Sequence, residues 1–280
     1  MAEAGQALAG KVALVTGGTH SIGEAICRRL HRAGARVLVT GIEDAAGEAL
    51  ARDLNSGGTS ADALYRHLDV RSDAEIEAAL EDCQAAFGRL DILVNCACSY
   101  RDRGPASSRE DWLETLNVNV VGPAMLVQKA GALLTKPGGV VVNIGSISGK
   151  VGSRERGPYA AGKAALMHFT KLAAAALGPE GVRVVSVSPG WTWSPPMEAM
   201  TRGRRDIADA AGGRVNPLGR VGRMEEVANV VAFVASEEAG WVNGCDIAVD
   251  GGFTALGPDQ GLGPKHWCDA AVLKDEDALP

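Results

Sequence analysis

The 280-residue sequence predicts an α/β fold, a single doubly wound domain built on a parallel sheet of about seven strands. Three observations lead there. Short runs rich in Val, Ile and Leu alternate with longer segments of helical period over most of the chain. The runs are apolar almost throughout, as in strands that helices cover on both faces. A glycine-rich stretch at residues 17–23 separates the first run from the first helical segment, at the place where such sheets form a ligand-binding turn.

In order along the chain, a strand at 11–15 passes through that turn into a helix over 23–33. A strand at 36–39, a helix over 44–55 and a strand at 64–68 follow. Ser72, ahead of Asp73 and Glu75, caps a helix over 73–87 that Gly88 closes. After a strand at 92–94 the pattern predicts one helix over 111–134. Val140-Val141-Val142-Asn143-Ile144 reads as a buried parallel strand, and the helix over 159–177 ends at Gly178. A strand at 183–187 precedes residues 191–221, rich in Pro, Trp, Met, Arg and Gly, which read as a long mobile loop with a short helix near 197–200. A helix over 224–235 and a strand at 246–249 complete the domain, residues 1–255. Residues 256–280 form a tail, disordered or docked on a neighbouring subunit.

With 46% hydrophobic residues the chain can bury a large core without disulfides or metal. A net charge of −6 and the lack of a basic cluster argue against nucleic acid as a partner. No apolar stretch approaches the ~18 residues of a membrane span, and the N-terminus lacks a signal-peptide pattern, so a soluble, cytoplasmic protein is expected. The six cysteines are scattered without zinc-site spacing, and Cys96 and Cys98 read as reduced thiols at a strand end, so no metal site is expected.

The stretch Thr16-Gly17-Gly18-Thr19-His20-Ser21-Ile22-Gly23 brings backbone amides and a helix N-terminus to bear on a pyrophosphate, although the strict G-x-G-x-x-G pattern is absent. At the end of the second strand, Val39-Thr40-Gly41-Ile42-Glu43, an acid would bind a ribose and repel a 2′-phosphate. Gly41 supplies neither charge. Glu43 and Asp44 place NAD ahead of NADP, with His20 the residue that argues for NADP.

Residues 146–163 hold the chemistry. If Tyr159 opens a helix, Lys163 lies one turn on along the same face, where its ammonium stabilises a phenolate and readies the phenol for acid–base work. Ser146 follows the strand at 140–144 and so stands at the carboxyl edge of the sheet.

Together these motifs resemble the short-chain dehydrogenase/reductase family over about residues 8–255. The resemblance implies a Rossmann-type fold and an NAD- or NADP-dependent oxidoreductase. Residues 16–23 are similar to its cofactor turn, with Gly17, Thr19, His20, Ser21, Ile22 and Gly23 against the cofactor. Gly41 and Ile42 fall at the adenosine end, and Asp69-Val70 resembles the adenine contact. Asn95-Cys96-Ala97-Cys98 stands where the family has Asn-Asn-Ala-Gly, which places Asn95 beside the cofactor. Pro189, Gly190, Thr192 and Ser194 resemble the nicotinamide-side motif, and Val249-Asp250-Gly251-Gly252 the last strand end. Asn119, Ser146, Tyr159 and Lys163 match the catalytic asparagine, serine, tyrosine and lysine, with Tyr159 and Lys163 also touching the cofactor. Ser21, Cys96 and Cys98 depart from the family pattern. The Ser21 side chain must point away from the phosphates or bond to them, and Cys98 crowds the cofactor.

The implied reaction is hydride transfer between the nicotinamide and a carbinol carbon, interconverting a secondary alcohol and a ketone. Tyr159 moves the proton, Ser146 binds the substrate oxygen, Lys163 grips the nicotinamide ribose, and Asn119 holds a water of a proton relay. Tyr100, Ser148, Trp191 and Trp193 are the candidate substrate contacts, and they favour a cyclic or aryl hydrophobic substrate. A 3-oxoacyl thioester or a polyol is the alternative, and a non-catalytic dinucleotide-binding regulator is the alternative of another class. Ser148 also reads as a turn residue, His168 as structural, and Arg154 and Arg156 as solvated loop charges or, alternatively, contacts for an acidic substrate. The family also implies a homotetramer built on the helices over 111–134 and 159–177.

Overall fold

Seven parallel strands form one sheet in the order β3-β2-β1-β4-β5-β6-β7. The computed structural model describes residues 6–56, 63–134, 136–257, 259–266 and 268. The strands are β1 (Val12–Thr16), β2 (Arg36–Gly41), β3 (Ala63–His67), β4 (Ile92–Asn95), β5 (Val140–Ile144), β6 (Arg183–Pro189) and β7 (Asp246–Val249). Nine α-helices are described: α1 (Ser21–Arg32), α2 (Asp44–Ser56), α3 (Asp73–Phe87), α4 (Arg109–Leu116), α5 (Gly122–Ala130), α6 (Pro158–Leu177), α7 (Pro195–Met200), α8 (Arg205–Gly212) and α9 (Met224–Ala235).

The sheet is covered on both sides, which is why its strands lack polar alternation. Successive side chains of a strand point to opposite faces. Ala13 and Val15 of β1, with Val37, Val94, Val142 and Val187, pack with Ile26 and Leu30 of α1 and Val227 and Val231 of α9. Val12 and Leu14, with Leu38, Leu93, Val141 and Val184, pack with Ile76 of α3, Leu126 of α5 and Ala173 of α6. The topology reverses between β1 and β4, where Thr16 stands in register with Asn95, and the carboxyl ends of all seven strands share one edge.

Two expectations need correction. The helix foreseen over 111–134 is two helices joined by a π-helical turn, Asn117–Val121, and the second ends at Ala130. Pro123 has no N–H to return to the Asn119 carbonyl four residues back, and the Gly122 N–H bonds to the Asn117 carbonyl instead. Gly178 follows the last residue of α6 as expected, and the chain then runs through a 3₁₀ turn to Gly181, at φ +78°, while Gly88 at φ +75° closes α3. The loop at 191–221 contains α8 as well as the short helix foreseen, here α7. Ser72 caps α3 as expected, accepting the Glu75 N–H at 3.3 Å. Most of the tail at 256–280 lies outside the described residues.

Candidate active site

The turn after β1 is backbone-lined because close approach permits little else. A Cβ on Gly17, which has φ +60°, would lie 2.7 Å from the Ala97 Cα of the loop after β4. A Cβ on Gly23 would lie 1.9 Å from the Gly17 carbonyl oxygen. Ser21 sits at φ +55°, a region that glycine occupies at less cost, and its hydroxyl donates to Met224 Sδ at 3.6 Å, toward α9. Burial pushes the Cys96 thiol up to about 12, so it stands neutral at the strand end.

At the end of β2, Glu43 reaches back over Gly41: its Oε2 lies 3.4 Å from where a Gly41 Cβ would be. Buried Thr19 fixes it there, donating its hydroxyl to Glu43 Oε2 at 2.6 Å. With its one proton so placed, Thr19 Oγ1 accepts from His20 Nδ1–H at 3.1 Å, and His20 stands 3.8 Å from Glu43. Asp44 is turned away: the Tyr65 hydroxyl and His67, each at 2.7 Å, hold its carboxyl below the usual range. Ile42 is exposed beside this group. Arg71 grips the Asp69 carboxylate and lowers its pKa, and Val70 is buried against Gly122.

Asn95 ends β4. It is buried and its amide donates to Asn143 Oδ1 at 2.8 Å, while Asn143 donates to Thr170 Oγ1 at 2.9 Å, tying β4, β5 and α6 together beneath the site. Its Oδ1 is a buried oxygen with no partner among the described residues.

Above this network stand the four matched residues. Ser146 follows β5 and opens a 3₁₀ turn, Ile147–Gly149, with its Oγ accepting the Ser148 N–H at 3.1 Å. Gly149 brings that turn onto α6, where a Cβ would lie 2.8 Å from the Ala164 N. Pro158 opens α6 without a donor to lose. Tyr159 and Lys163 then lie one turn apart on its buried face. Lys163 is 3% exposed and donates to the Ile144 carbonyl at 2.6 Å, with Nζ 5.8 Å from the Tyr159 ring centroid. Burial opposes its charge, but the neighbouring Cys98, Tyr159 and Cys96 outweigh this and raise its pKa, so the ammonium is retained. Asn119 lies in the π turn, donating to the Ser99 carbonyl at 3.0 Å and accepting the Ser99 N–H at 2.7 Å.

Beside these residues lie Asp102, which is outside the candidate set, and several of the candidate substrate contacts. Asp102 accepts the N–H groups of Gly104 at 2.8 Å, Gly157 at 2.9 Å and Tyr159 at 2.8 Å, which binds the β4 loop to the first turn of α6. Partial burial works against its charge, yet those three donors hold the carboxyl below its usual range. Tyr100 stacks on Tyr159 with ring centroids 5.0 Å apart and planes at 22°, and stays 57% exposed. The Arg156 guanidinium lies 5.6 Å from the Tyr159 ring centroid. In the loop after β6, Trp191 is exposed and Trp193 carries the Arg205 guanidinium at 5.6 Å. Pro189 ends β6, a Cβ on Gly190 would press on Asp250, Thr192 Oγ1 donates to the Gly190 carbonyl at 3.0 Å, and Ser194 begins α7. Among the described residues no cluster of three or more His, Cys, Asp or Glu side chains stands ready to hold a metal, and no helix is long and apolar enough to cross a membrane.

A family model described as enoyl-(acyl carrier protein) reductase matches residues 17–254. The cis-4-hydroxycyclohexanecarboxylate dehydrogenase of Sinomonas cyclohexanicum is 34% identical over 90% of this chain and 100% of that protein. The chain belongs to the short-chain dehydrogenase/reductase family. The (3R)-3-hydroxyacyl-CoA dehydrogenase of Mus musculus is 37% identical over 86% of this chain and 95% of that protein. The 3-oxoacyl-acyl-carrier-protein reductase of Pseudomonas aeruginosa is 36% identical over 88% and 98%. A solved dehydrogenase/reductase from Sinorhizobium meliloti superposes with a TM-score of 0.80 at 33% identity, over 88% of this chain and 96% of that one. As a short-chain dehydrogenase/reductase the chain is an oxidoreductase that acts on CH–OH groups with NAD(P). The site fits such a cofactor: the turn at Gly17 and Gly23 is bare backbone in front of a helix N-terminus, and Lys163 keeps its charge at the opposite end.

Proposed function

We propose that this short-chain dehydrogenase/reductase interconverts a cyclic or aryl secondary alcohol and its ketone, with NAD ahead of NADP. One observation carries the reading: Ser146, Tyr159 and Lys163 converge, all buried, at the carboxyl edge of β5 beside the cofactor turn. NAD, when bound, supplies the hydride acceptor for oxidation and its reduced form the donor for reduction. Tyr159 takes the hydroxyl proton in oxidation and returns it in reduction. Ser146 Oγ already accepts the Ser148 N–H, so its own proton is available to the substrate oxygen, where it stabilises developing negative charge. Lys163 uses one N–H on Ile144 and has others for a ribose hydroxyl and for Tyr159. The Asn119 side chain bonds Ser99 through both its oxygen and its nitrogen, which fixes the π turn, and its share in a proton relay is placed on its main chain.

For NAD, the support is Glu43, whose carboxylate lies over Gly41 where a 2′-hydroxyl is welcome and a 2′-phosphate is repelled. For the substrate, the support is Tyr100 stacked on Tyr159 and still exposed, together with relatives named for two hydroxycyclohexanecarboxylates, and Trp191 and Trp193 are proposed to add to that apolar wall. A 3-oxoacyl thioester is the second reading, favoured by the hydroxyacyl and oxoacyl relatives. A homotetramer remains part of the proposal, supported by Leu113 of α4 and Leu172 of α6, which are large apolar side chains left exposed on those helices.

The deciding experiment follows reduced-nicotinamide absorbance with NAD and NADP against cyclic and aryl alcohols, polyols and 3-hydroxyacyl thioesters. Tyr159→Phe is expected to abolish turnover while binding NADH as tightly as wild type. Wild-type-like turnover by that variant would sink the mechanism.

A further inference from the structure

We propose that Arg156 is a substrate-binding residue that reads a carboxylate on the substrate, so that the preferred substrate is a ring-bearing hydroxy acid or keto acid. The inference deepens the cyclic-alcohol reading above and rests on it.

The argument begins with charge pairing on the rims. Arg101 pairs with Asp111 at 2.9 Å and with Glu110 at 3.4 Å, and Arg103 pairs with Asp111 at 2.6 Å. Lys150 pairs with Asp246 at 2.6 Å, and Arg205 with Asp209 at 3.4 Å. The side chains of Arg154 and Arg156, on the stretch between Ser146 and Tyr159, pair with no described carboxylate. Asp102 is near enough for Arg156 to help lower its pKa, but its oxygens already accept three backbone N–H groups. Of the two arginines here that make no ion pair among the described residues, Arg156 is the one that lies over the Tyr159 ring, and Asp102 is its only electrostatic neighbour of opposite sign on this rim.

Its geometry suits an anion held next to the reacting carbon. A guanidinium stacked on an aromatic face keeps its N–H edges free, and those edges match a carboxylate bidentately. With Cζ 5.6 Å from the Tyr159 ring centroid, the anion it holds belongs a few bonds from the carbon whose oxygen meets Tyr159. That is the span of a carboxylated small ring. It is not the span of a pantetheine thioester, whose phosphate lies far along its arm from an uncharged reacting end.

The test compares 4-oxocyclohexanecarboxylate with its neutral carboxamide, reduced with NADH by the full-length protein. Wild type is expected to prefer the acid by about tenfold in kcat/KM, the scale of one charge-assisted contact at a part-exposed site. Arg156→Gln is expected to bring the acid-to-amide ratio near one through the KM for the acid, Arg156→Lys to restore part of it, and Arg52→Gln on α2 to leave it unchanged. Equal use of both probes by wild type overturns this inference alone. A fall in kcat for both probes alike in Arg156→Gln also overturns it, since the residue would then merely hold Tyr159. Turnover of an acetoacetyl thioester with neither ring ketone accepted overturns the cyclic reading and this inference together.

Discussion

Glu43 makes the choice of cofactor a matter of a side chain two positions from where the family pattern looks for one. Held by Thr19, it is expected to favour NAD over NADP, and Glu43→Gln is expected to narrow the ratio of their dissociation constants by about tenfold, read by NADH and NADPH fluorescence titration. The place of Asp102 in the loop after β4 was legible as a rim of the site, but its role was not, because an aspartate in a loop shows its backbone partners only once β4 and α6 are brought together. Its carboxyl is held below the unfolded value of about 3.9, so its contribution is full above that value and is lost as pH falls through the lower folded one. Asp102→Ala should leave backbone donors of α6 without a buried acceptor, lower kcat more than it weakens NADH binding, and flatten the acid limb of the melting temperature. An unchanged acid limb would argue against that account. By contrast Ser146, Tyr159 and Lys163 were legible, since their spacing reflects one helical turn and one strand end.

At the scale of elements, periodicity located every strand within a residue or two, because burial on both faces leaves long apolar runs. It failed where a helix changes pitch. The stretch from Asp111 keeps a helical pattern through Asn117–Val121, and only Pro123 hints at the interruption that lays Asn119 against Ser99. α8 was missed although its eight residues are amphipathic, because two turns are short beside the Pro-, Gly- and Arg-rich stretch that surrounds them. The close approach of the Ser146 turn to α6 offers a direct test. Gly149→Val places a Cβ 2.8 Å from backbone, and is expected to destabilise the fold by about 1–3 kcal/mol, as other overpacked sites do. It should also separate Ser146 from Tyr159, so kcat should fall well beyond what the lost stability explains. Differential scanning calorimetry alongside kinetics distinguishes the two.

At the scale of the whole molecule, the site is assembled from six strand ends and so is coupled to the integrity of the sheet. A ligand that binds only the folded state stabilises it, by about 2.7 kcal/mol at a hundredfold excess over Kd, and a domain of this size gains about 2–4 °C per kcal/mol. Thermal shift with NAD and NADP at equal concentration should therefore rank the two cofactors without any knowledge of substrate, with NAD raising the melting temperature more. The reversed order would remove the Glu43 argument.

The strand order also has a consequence for biosynthesis. β1 lies in the middle of the sheet, yet one of its two partners begins 79 residues later, at Ile92 opposite Ala13. At about 5–20 residues per second, a ribosome needs roughly 4–16 s to deliver β4 after β1 has been made. During that interval the nascent chain carries Val12–Thr16 with one hydrogen-bonding edge open, so the strand is most exposed to mispairing before β4 emerges rather than in the finished fold.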